Sequence, residues 1–269
     1  MKKFTNAVRC DILKMIHGAK SGHPGGALSC CDILAVLYKK VLNVPVDWDK
    51  SPDFESRDRF ILSKGHASTA LYATLAHCGY FSKNLLKGFR KLGSKLQGHP
   101  SSRVHLPGIE VSTGSLGQGL SIGVGIALAL RLDKSDAKVF VLMGDGEMQE
   151  GSVWESLMNA NAKKLKNLIV IIDKNNLQID GSVQDIKTLE PLDEKLKAFG
   201  FKVYTMDGHN YEEIEKTLLK AKKSNQLCAI IANTVKGKGV SFMENNVGWH
   251  GKAPNDEQLE HALEELNAG

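Results

Sequence analysis

Hydrophobic positions along the chain predict a series of helices separated by short strands. Helical spacing opens the sequence at Phe4, Val8, Ile12, Met15 and Ile16. An apolar stretch over residues 28–38 predicts a second, well-buried helix. The same periodicity predicts further helices at residues 69–77, 116–130, 153–162, 194–199, 211–224 and 256–268, the last capped by Asn255 or Asp256.

Short apolar runs lie between these helices and predict the strands of a sheet. The runs occupy residues 59–62, 139–143, 168–172, 203–206 and 228–232. Because strands alternate with helices, we expect an α/β fold, a doubly wound, mostly parallel sheet with helices on both faces. A length of 269 residues suits one large core, so we expect residues 1–269 to form a single domain.

A polar loop containing glycine or asparagine follows each predicted strand. The five loops occupy residues 63–66, 144–146, 173–176, 207–209 and 236–239. In a parallel sheet the carboxyl ends of the strands share one edge, and ligands bind at that edge. The pattern therefore predicts that all five loops converge on one candidate site.

Composition narrows the function mainly by exclusion. The formal net charge is +5, but the 35 basic residues are spread along the chain, which argues against a nucleic-acid surface. The longest apolar stretch, residues 116–130, is too short and too rich in glycine to span a membrane. Five cysteines without a CxxC pair, together with a polar amino terminus, favour a reduced protein in the cytoplasm.

The clearest chemical signal is a Gly-Asp-Gly motif centred on Asp145, followed after the next predicted strand by an Asn-Asn pair that begins at Asn175. The two residues lie 30 positions apart, about the span of one strand–helix–strand unit. Their oxygens suit Mg²⁺ shared with a diphosphate, and a helix predicted to begin near Glu147 would offer N–H groups to the anion. An isolated Gly-Asp-Gly is more often a tight turn, but the second motif favours the metal.

Several motifs together resemble the transketolase family of thiamine diphosphate enzymes, in order and in spacing. They occupy residues 21–25, 62–66, 98–100, 113–119, 144–151, 173–181 and 249–251. The resemblance extends over nearly the whole chain and is to the first, diphosphate-binding (PP-type) domain of the family. It implies thiamine diphosphate and Mg²⁺ (or Ca²⁺ or Mn²⁺ in its place) as cofactors, and a transferase of the pentose phosphate pathway.

The resemblance also implies roles for individual residues. Asp145 and Asn175 would ligate the metal through their side chains, and Leu177 through its carbonyl oxygen. Glu150 matches a carboxylate that links two active sites across a subunit interface. Contacts with the cofactor are implied for His66, Gly114, Leu116, Gly146, Glu150, Asn175 and His250.

Histidines next to glycine or proline in the predicted loops are the candidates for catalysis. The reaction moves protons on and off sugar hydroxyls near neutral pH, which imidazole does well. The four candidates are His23, His66, His99 and His250. We expect the other histidines to be buried or surface polar groups: His17, His77, His105, His209 and His261.

Two features leave alternatives open at this point. The glycines at positions 117, 119, 123 and 125 in the predicted helix 116–130 fit either a tightly packed subunit interface or a crowded core helix. Lys236 and Lys238 fit either a phosphate contact or an ordinary flexible basic loop.

The resemblance further implies a partner. In the family, the glutamate that activates the cofactor and the arginines that bind the sugar phosphate lie on a second, pyrimidine-binding domain. This sequence ends at Gly269, soon after the first domain is expected to finish. We therefore expect a separately encoded subunit that carries the pyrimidine-binding and C-terminal domains, in an A2B2 heterotetramer.

The expected function is transfer of a two-carbon glycolaldehyde (ketol) unit from a ketose phosphate to an aldose phosphate. A subunit specialised for a modified or branched sugar is one alternative, and a non-catalytic thiamine diphosphate-binding module is another. A 1-deoxyxylulose-phosphate synthase fits less well, because the motifs at 98–100 and 144–151 look more like transketolase. The intact Asp145, Asn175 and four histidines argue against a module without activity.

Overall fold

The structure, a computed structural model, describes residues 1–268 and is built around a parallel sheet. The strands are β1 (Arg59–Leu62), β2 (Val139–Gly144), β3 (Leu168–Lys174), β4 (Lys202–Asp207) and β5 (Cys228–Asn233). Their order across the sheet is β1-β2-β3-β5-β4, and each neighbouring pair is parallel. The α/β fold and all five predicted strands are therefore confirmed.

Helices connect these strands and cover the sheet. They are α1 (Lys2–Ala19), α2 (Pro24–Ser29), α3 (Cys31–Val36), α4 (Ser68–Cys78), α5 (Gln118–Leu132), α6 (Gly151–Ala162), α7 (Val183–Lys187), α8 (Leu192–Ala198), α9 (Tyr211–Lys222) and α10 (Asp256–Ala268). Asn255 precedes α10, and its side-chain oxygen accepts a hydrogen bond from the Gln258 N–H at 2.8 Å. That contact is a helix cap, as predicted.

Two helix predictions were wrong in detail. The single helix expected over residues 28–38 is broken at Cys30 into α2 and α3, and a π-helical turn, Leu37–Val41, follows. At the break, the Ser29 and Cys30 side chains both donate to the Gly26 carbonyl, which competes with regular helix bonding. The helix expected near Glu147 begins only at Gly151, after a 3₁₀ turn over Gly146–Gln149.

The two faces of the sheet are covered by different helices, as a doubly wound fold requires. Alternate residues of β2 point to opposite faces, so Phe140 and Leu142 join one core, whereas Val139 and Val141 join the other. The first core includes apolar residues of α1 to α4, α9 and α10, and the second includes those of α5, α6 and α8. Both faces are buried, which explains the continuous apolar strands of the sequence.

Glycines allow α5 to lie unusually close to the sheet. A Cβ atom on Gly123 would lie 2.6 Å from Val141 Cγ2, and one on Gly119 would overlap Ser63. These two glycines fit the crowded-core alternative. Gly125 points the other way and has no heavy atom within 4 Å of its Cβ position. No helix within residues 1–268 combines the length and the apolar character needed to cross a bilayer.

Candidate active site

A cavity of about 220 Å³ opens at the carboxyl edge of the sheet. The loops after four strands line it, contributing residues 64 and 66, 144–147, 175 and 177–180, and 236. The loop after β4 does not line the cavity, because β4 lies at the far edge of the sheet. Its His209 side chain instead contacts the backbone of the loop after β5, where it accepts the Val235 N–H. The prediction that five loops converge was therefore right for four of them and wrong for the fifth.

The predicted metal ligands all line this cavity. Asp145 is 2% exposed, and its two oxygens accept backbone N–H bonds from Gly146 at 2.8 Å and Asn176 at 2.5 Å. The Asn175 side-chain oxygen accepts the Leu177 N–H at 3.2 Å. Asn176 adopts a left-handed backbone conformation (φ 62°), which asparagine tolerates better than most residues. That turn places the Leu177 carbonyl at the cavity wall.

Two lysines to which the sequence analysis gave no settled role both line the cavity. Lys64 forms a fully buried ion pair with Asp173, whose carboxylate also accepts hydrogen bonds from Ser29 and Thr234. Lys236 is 2% exposed, and its ammonium group donates to the Leu177 carbonyl at 2.9 Å. The open question about Lys236 is thus answered in favour of the cavity.

Burial and neighbouring charges shift the pKa values of the acidic and basic residues at the cavity. Burial and the neighbouring Asp173 raise the pKa of Asp145 to about 6. Burial alone would also raise the pKa of Asp173, but the charge and hydrogen bond of Lys64 hold it below its ordinary value. Burial and the charge of Lys64 lower the pKa of Lys236 to about 8.

These residues fit a divalent cation that carries a diphosphate. A carboxylate, an amide and a backbone carbonyl offer hard oxygens, the donors that Mg²⁺ prefers. The raised pKa of Asp145 means that its negative charge is not balanced by its neighbours, and a cation would balance it. Within residues 1–268 there is no metal-binding group of three or more His, Cys, Asp or Glu side chains. The predicted set needs none, because two of its three donors are an amide and a carbonyl.

The four candidate histidines form one cluster, of which His66 and His250 line the cavity. The His23 ring centroid lies 5.4 Å from that of His66, 5.6 Å from that of His250 and 6.3 Å from that of His99. The rings of His66 and His250 stack at 5.4 Å. Residues from widely separated parts of the sequence therefore form one cluster, and their catalytic roles stay predictions.

Burial keeps these imidazoles neutral. Burial and the charge of Arg90 lower the pKa of His23 to about 4, and burial and Lys236 lower that of His250 to about 3. The pKa of His66 lies well below its ordinary value because of its burial and the charge of Lys64. The buried Nδ1 of His23 has no hydrogen-bond partner within residues 1–268. A neutral imidazole with a free nitrogen suits a substrate hydroxyl.

The remaining predicted contacts lie at the cavity or beside the histidine cluster. Leu116 and the exposed Glu150 both line it. Gly114 lies beneath His99, where a Cβ atom would come within 2.8 Å of that ring. The Gly146 N–H is already bonded to Asp145, so the free N–H predicted at this position is not free here.

Some structural residues of the site were missed by sequence reasoning. Glu147 is buried, accepts hydrogen bonds from the Gly117 N–H at 2.9 Å and the Gly144 N–H at 3.2 Å, and also accepts one from Ser63. Lys64 and Asp173 could be placed only in neighbouring loops, where a lysine and an aspartate at two strand ends are the available signal. Lys238, by contrast, pairs with Glu244 at 3.2 Å.

The five histidines set aside by the sequence do not line the cavity. His17 and His77 contact Asp256 and Asp11, each at 2.7 Å, and His261 contacts Glu265 at 3.3 Å. His105 occupies a left-handed turn, and His209 contacts Asp32.

Comparison with known proteins assigns this architecture to a family. Residues 1–267 match the family model described as "Transketolase, thiamine diphosphate binding domain". The chain is 44% identical over 260 residues to a protein of Phocaeicola vulgatus that is named as a subunit of apulose-4-phosphate transketolase, covering 96% of this chain and 91% of that protein. It is 41% identical over 262 residues to a 6-deoxy-6-sulfo-D-fructose transketolase subunit of a Clostridium species, covering 97% and 94%.

Solved structures show the same relationship. Transketolase from Campylobacter jejuni superposes with a TM-score of 0.92 at 39% identity. The superposition covers 99% of this chain but 42% of that transketolase chain, so this chain spans about two fifths of its length. The sequence match over residues 1–267 and the structural match agree: this chain belongs to the thiamine diphosphate-binding domain family of transketolases.

Proposed function

We propose that this chain is the diphosphate-binding subunit of a two-component transketolase, a single domain that acts together with a separately encoded partner. The supporting observation is one cavity lined by hard oxygens, Lys236, His66 and His250, with His23 and His99 clustered beside these two histidines. A cofactor with an anionic tail and a reactive ring needs both ends at once.

At the charged end, the residues hold and orient the cofactor's diphosphate. Asp145, Asn175 and Leu177 provide the oxygens for Mg²⁺, and the Lys236 ammonium adds positive charge beside them. Gly146 would donate its N–H to the diphosphate if Asp145 bound the metal instead. When bound, thiamine diphosphate supplies a thiazolium carbon that accepts the electron pair of the broken ketose bond.

At the histidine end, the residues handle protons of the sugar. The imidazoles are neutral near pH 7, so each has one nitrogen that donates a hydrogen bond and one that accepts. His23 and His99 would contact hydroxyls of the donor sugar, and His66 and His250 would lie near the diphosphate and the bound substrate. The unpartnered Nδ1 of His23 supports this assignment.

The partner is proposed from the relatives and from the chemistry. Two relatives of nearly the same length are named as transketolase subunits rather than as whole transketolases. The partner would bring the pyrimidine-binding domain, the activating glutamate and the arginines for the sugar phosphate. We propose an A2B2 assembly in which Glu150, exposed at the cavity rim, faces a subunit interface.

A modified sugar is a second candidate for the donor. The relatives with 44% and 41% identity are named for apulose-4-phosphate and 6-deoxy-6-sulfo-D-fructose. That observation favours a specialised substrate over the ordinary ketose phosphates, whereas the histidine cluster suits both.

The test combines the chain with its partner subunit, Mg²⁺ and thiamine diphosphate. Candidate donors are xylulose 5-phosphate, fructose 6-phosphate, a branched ketose phosphate and a sulfonated ketose, each with an aldose phosphate acceptor. Release of the donor shortened by two carbons, with matching growth of the acceptor, supports the proposal. A fully assembled complex that binds the cofactor yet transfers no two-carbon unit from any donor contradicts it.

A further inference from the structure

A chain of buried polar contacts runs behind the loop that carries Lys236. The Asp32 carboxylate, 2% exposed, accepts a hydrogen bond from Arg9 Nη2 at 2.6 Å, and His209 Nδ1 lies 2.8 Å from the same oxygen. On its other side, His209 Nε2 accepts the Val235 backbone N–H at 2.8 Å. Arg9 Nε donates to the Lys238 carbonyl at 3.1 Å. We call Arg9, Asp32 and His209 the clasp, because they hold residues 235 and 238 at once.

The contacts of the clasp fix the tautomer of the His209 imidazole. Since the Val235 N–H is a donor, His209 Nε2 must carry a lone pair, and the ring proton must therefore lie on Nδ1. There it donates to Asp32, so His209 is neutral although it lies beside a carboxylate. Arg9 balances the charge of Asp32: burial alone would raise the pKa of this carboxyl, but hydrogen bonds from His209 and Arg9 hold it below its ordinary value.

The segment between the two held residues carries Lys236. A lysine side chain has many rotamers, and ordering it in a buried position is unfavourable in entropy. In this structure the Lys236 ammonium lies between the Leu177 carbonyl at 2.9 Å and His250 Nδ1 at 3.0 Å. The loop backbone must therefore hold the side chain at that point. A further contact of this loop is the hydrogen bond from the Gly237 N–H to the Gly25 carbonyl, at 3.0 Å.

We propose that His209 is a positioning residue: through its hydrogen bond to Val235 it sets the loop so that Lys236 reaches the diphosphate end of the cavity. The inference rests on the proposed function for the identity of the anion, but the clasp itself does not. The proposal also gives a role to the loop after β4. That loop does not line the cavity, but it supports the loop after β5, which does.

Two substitutions separate the two bonds of the ring. His209→Gln places a side-chain oxygen near the position of Nε2 and keeps an acceptor for Val235. His209→Asn places its amide near Nδ1, keeps a donor for Asp32 and loses the acceptor. A matched control is His261→Asn, at an exposed histidine that pairs with Glu265 of its own helix.

Hydrogen exchange of the Val235 amide in the full chain, without cofactor, tests the clasp directly. We expect His209→Asn to speed exchange by about tenfold or more, the equivalent of one lost hydrogen bond, and His209→Gln to change it little. Imidazole nitrogen shifts in the wild-type chain should report the proton on Nδ1. Equal exchange in the wild type and in a folded His209→Asn would overturn the clasp, as would a ring proton on Nε2.

Calorimetry of thiamine diphosphate and Mg²⁺ on the assembled complex tests the consequence. We expect His209→Asn to weaken cofactor binding by about tenfold, and His209→Gln to restore most of it. Unchanged affinity in His209→Asn, or equal loss in both variants, would overturn the positioning role. If the wild-type complex binds no cofactor, the proposed function fails, and the exchange experiment still decides on the clasp.

Discussion

The charged residues and the histidines at the cavity differ in how far their neighbours offset the effect of burial on their charge. At the charged end, which comprises Lys64, Asp145, Asp173 and Lys236, Lys64 and Asp173 stabilise each other's charge, whereas burial raises the pKa of Asp145 and lowers that of Lys236. At the histidine end, which comprises His23, His66, His99 and His250, titratable groups of one kind share a low-dielectric space near lysine and arginine, and their pKa values fall. Desolvation thus disfavours charge at both ends, and only the buried Lys64–Asp173 pair is held charged, by mutual attraction.

In the proposed function, this difference would separate binding from proton transfer. The charged end would hold a metal and a diphosphate, neither of which exchanges protons during turnover. Neutral imidazoles, with one donor and one acceptor nitrogen each, can take part in proton transfer without first losing a proton. Substitutions at the charged end should therefore affect stability and cofactor affinity, whereas those at the histidine end should affect turnover.

Removal of Lys64 should have the largest effect. Lys64→Met leaves the Asp173 carboxylate fully buried without its cation, and loss of one partner of a buried pair destabilises by about 3–5 kcal/mol. Urea unfolding of the chain measures the free energy. The matched control is the neighbouring Lys174→Met, whose pair with Glu190 is partly exposed and should contribute under about 1 kcal/mol. Similar losses in both variants would mean that the Lys64 pair has no special role.

Removal of Asp145 should have the next largest effect, and on binding rather than on stability. Asp145→Ala removes a buried carboxylate whose pKa is already raised, so the folded chain should persist. Loss of a charged metal ligand should weaken Mg²⁺-dependent cofactor binding by about 100-fold or more, or about 3 kcal/mol. Calorimetry on the assembled complex measures the affinity.

The control for Asp145 lies at the same cavity. Asp180 also lines it but is exposed and is not a predicted ligand. Asp180→Ala should therefore leave cofactor affinity nearly unchanged. Cofactor binding that is unaltered in Asp145→Ala would remove the proposed metal ligand and, with it, the distinction between the two ends.

Features that depend on consecutive residues could be predicted from the sequence. The apolar runs of the five strands and the polar loops after them place Asp145, Asn175 and His66 at one sheet edge, because parallel strands share their carboxyl ends. Prediction from the local sequence was wrong where side chains compete with the helix backbone for hydrogen bonds. At residues 28–38 the hydroxyl of Ser29 bonds both to the Gly26 carbonyl and to Asp173, and the helix breaks after it.

Pairs of residues distant in sequence could not be predicted in this way. Lys64 and Asp173 are 109 positions apart, and His209 and Asp32 are 177 apart. Neither partner carries a local signal that names the other, and only the packing of the sheet and helices brings them together. The left-handed turn at Asn176, which presents the Leu177 carbonyl, is likewise set by its surroundings.

A substitution at the histidine end should slow turnover and spare cofactor binding. His99→Asn keeps a polar side chain but removes the imidazole, and we expect kcat/KM for the donor sugar to fall by about 100-fold. The dissociation constant of the cofactor should stay the same, because His99 does not line the charged end. The control is His105→Asn, at a histidine outside the cluster. If His99→Asn also weakened cofactor binding, the histidine end and the charged end would not have separate roles.

The smallest expected effect is on the pH dependence of stability, and the two ends should contribute with opposite signs. The pKa of His250 is lowered from 6.5 to about 3, so between these values the unfolded chain binds a proton that the folded chain does not, and stability falls as the pH falls. The pKa of Asp145 is raised from 3.8 to about 6, so the folded chain binds the extra proton and stability rises as the pH falls through 6.

Unfolding of the cofactor-free chain at pH 7 and pH 5 therefore distinguishes the ends. Relative to the wild type, His250→Gln should lose less stability on acidification, by about 1 kcal/mol after allowance for its partial exposure. Asp145→Asn should lose more, also by about 1 kcal/mol. Because the two shifts have opposite signs, a general effect of substitution in the cavity cannot produce both. Shifts of the same sign would contradict the raised pKa of Asp145 or the lowered pKa of His250.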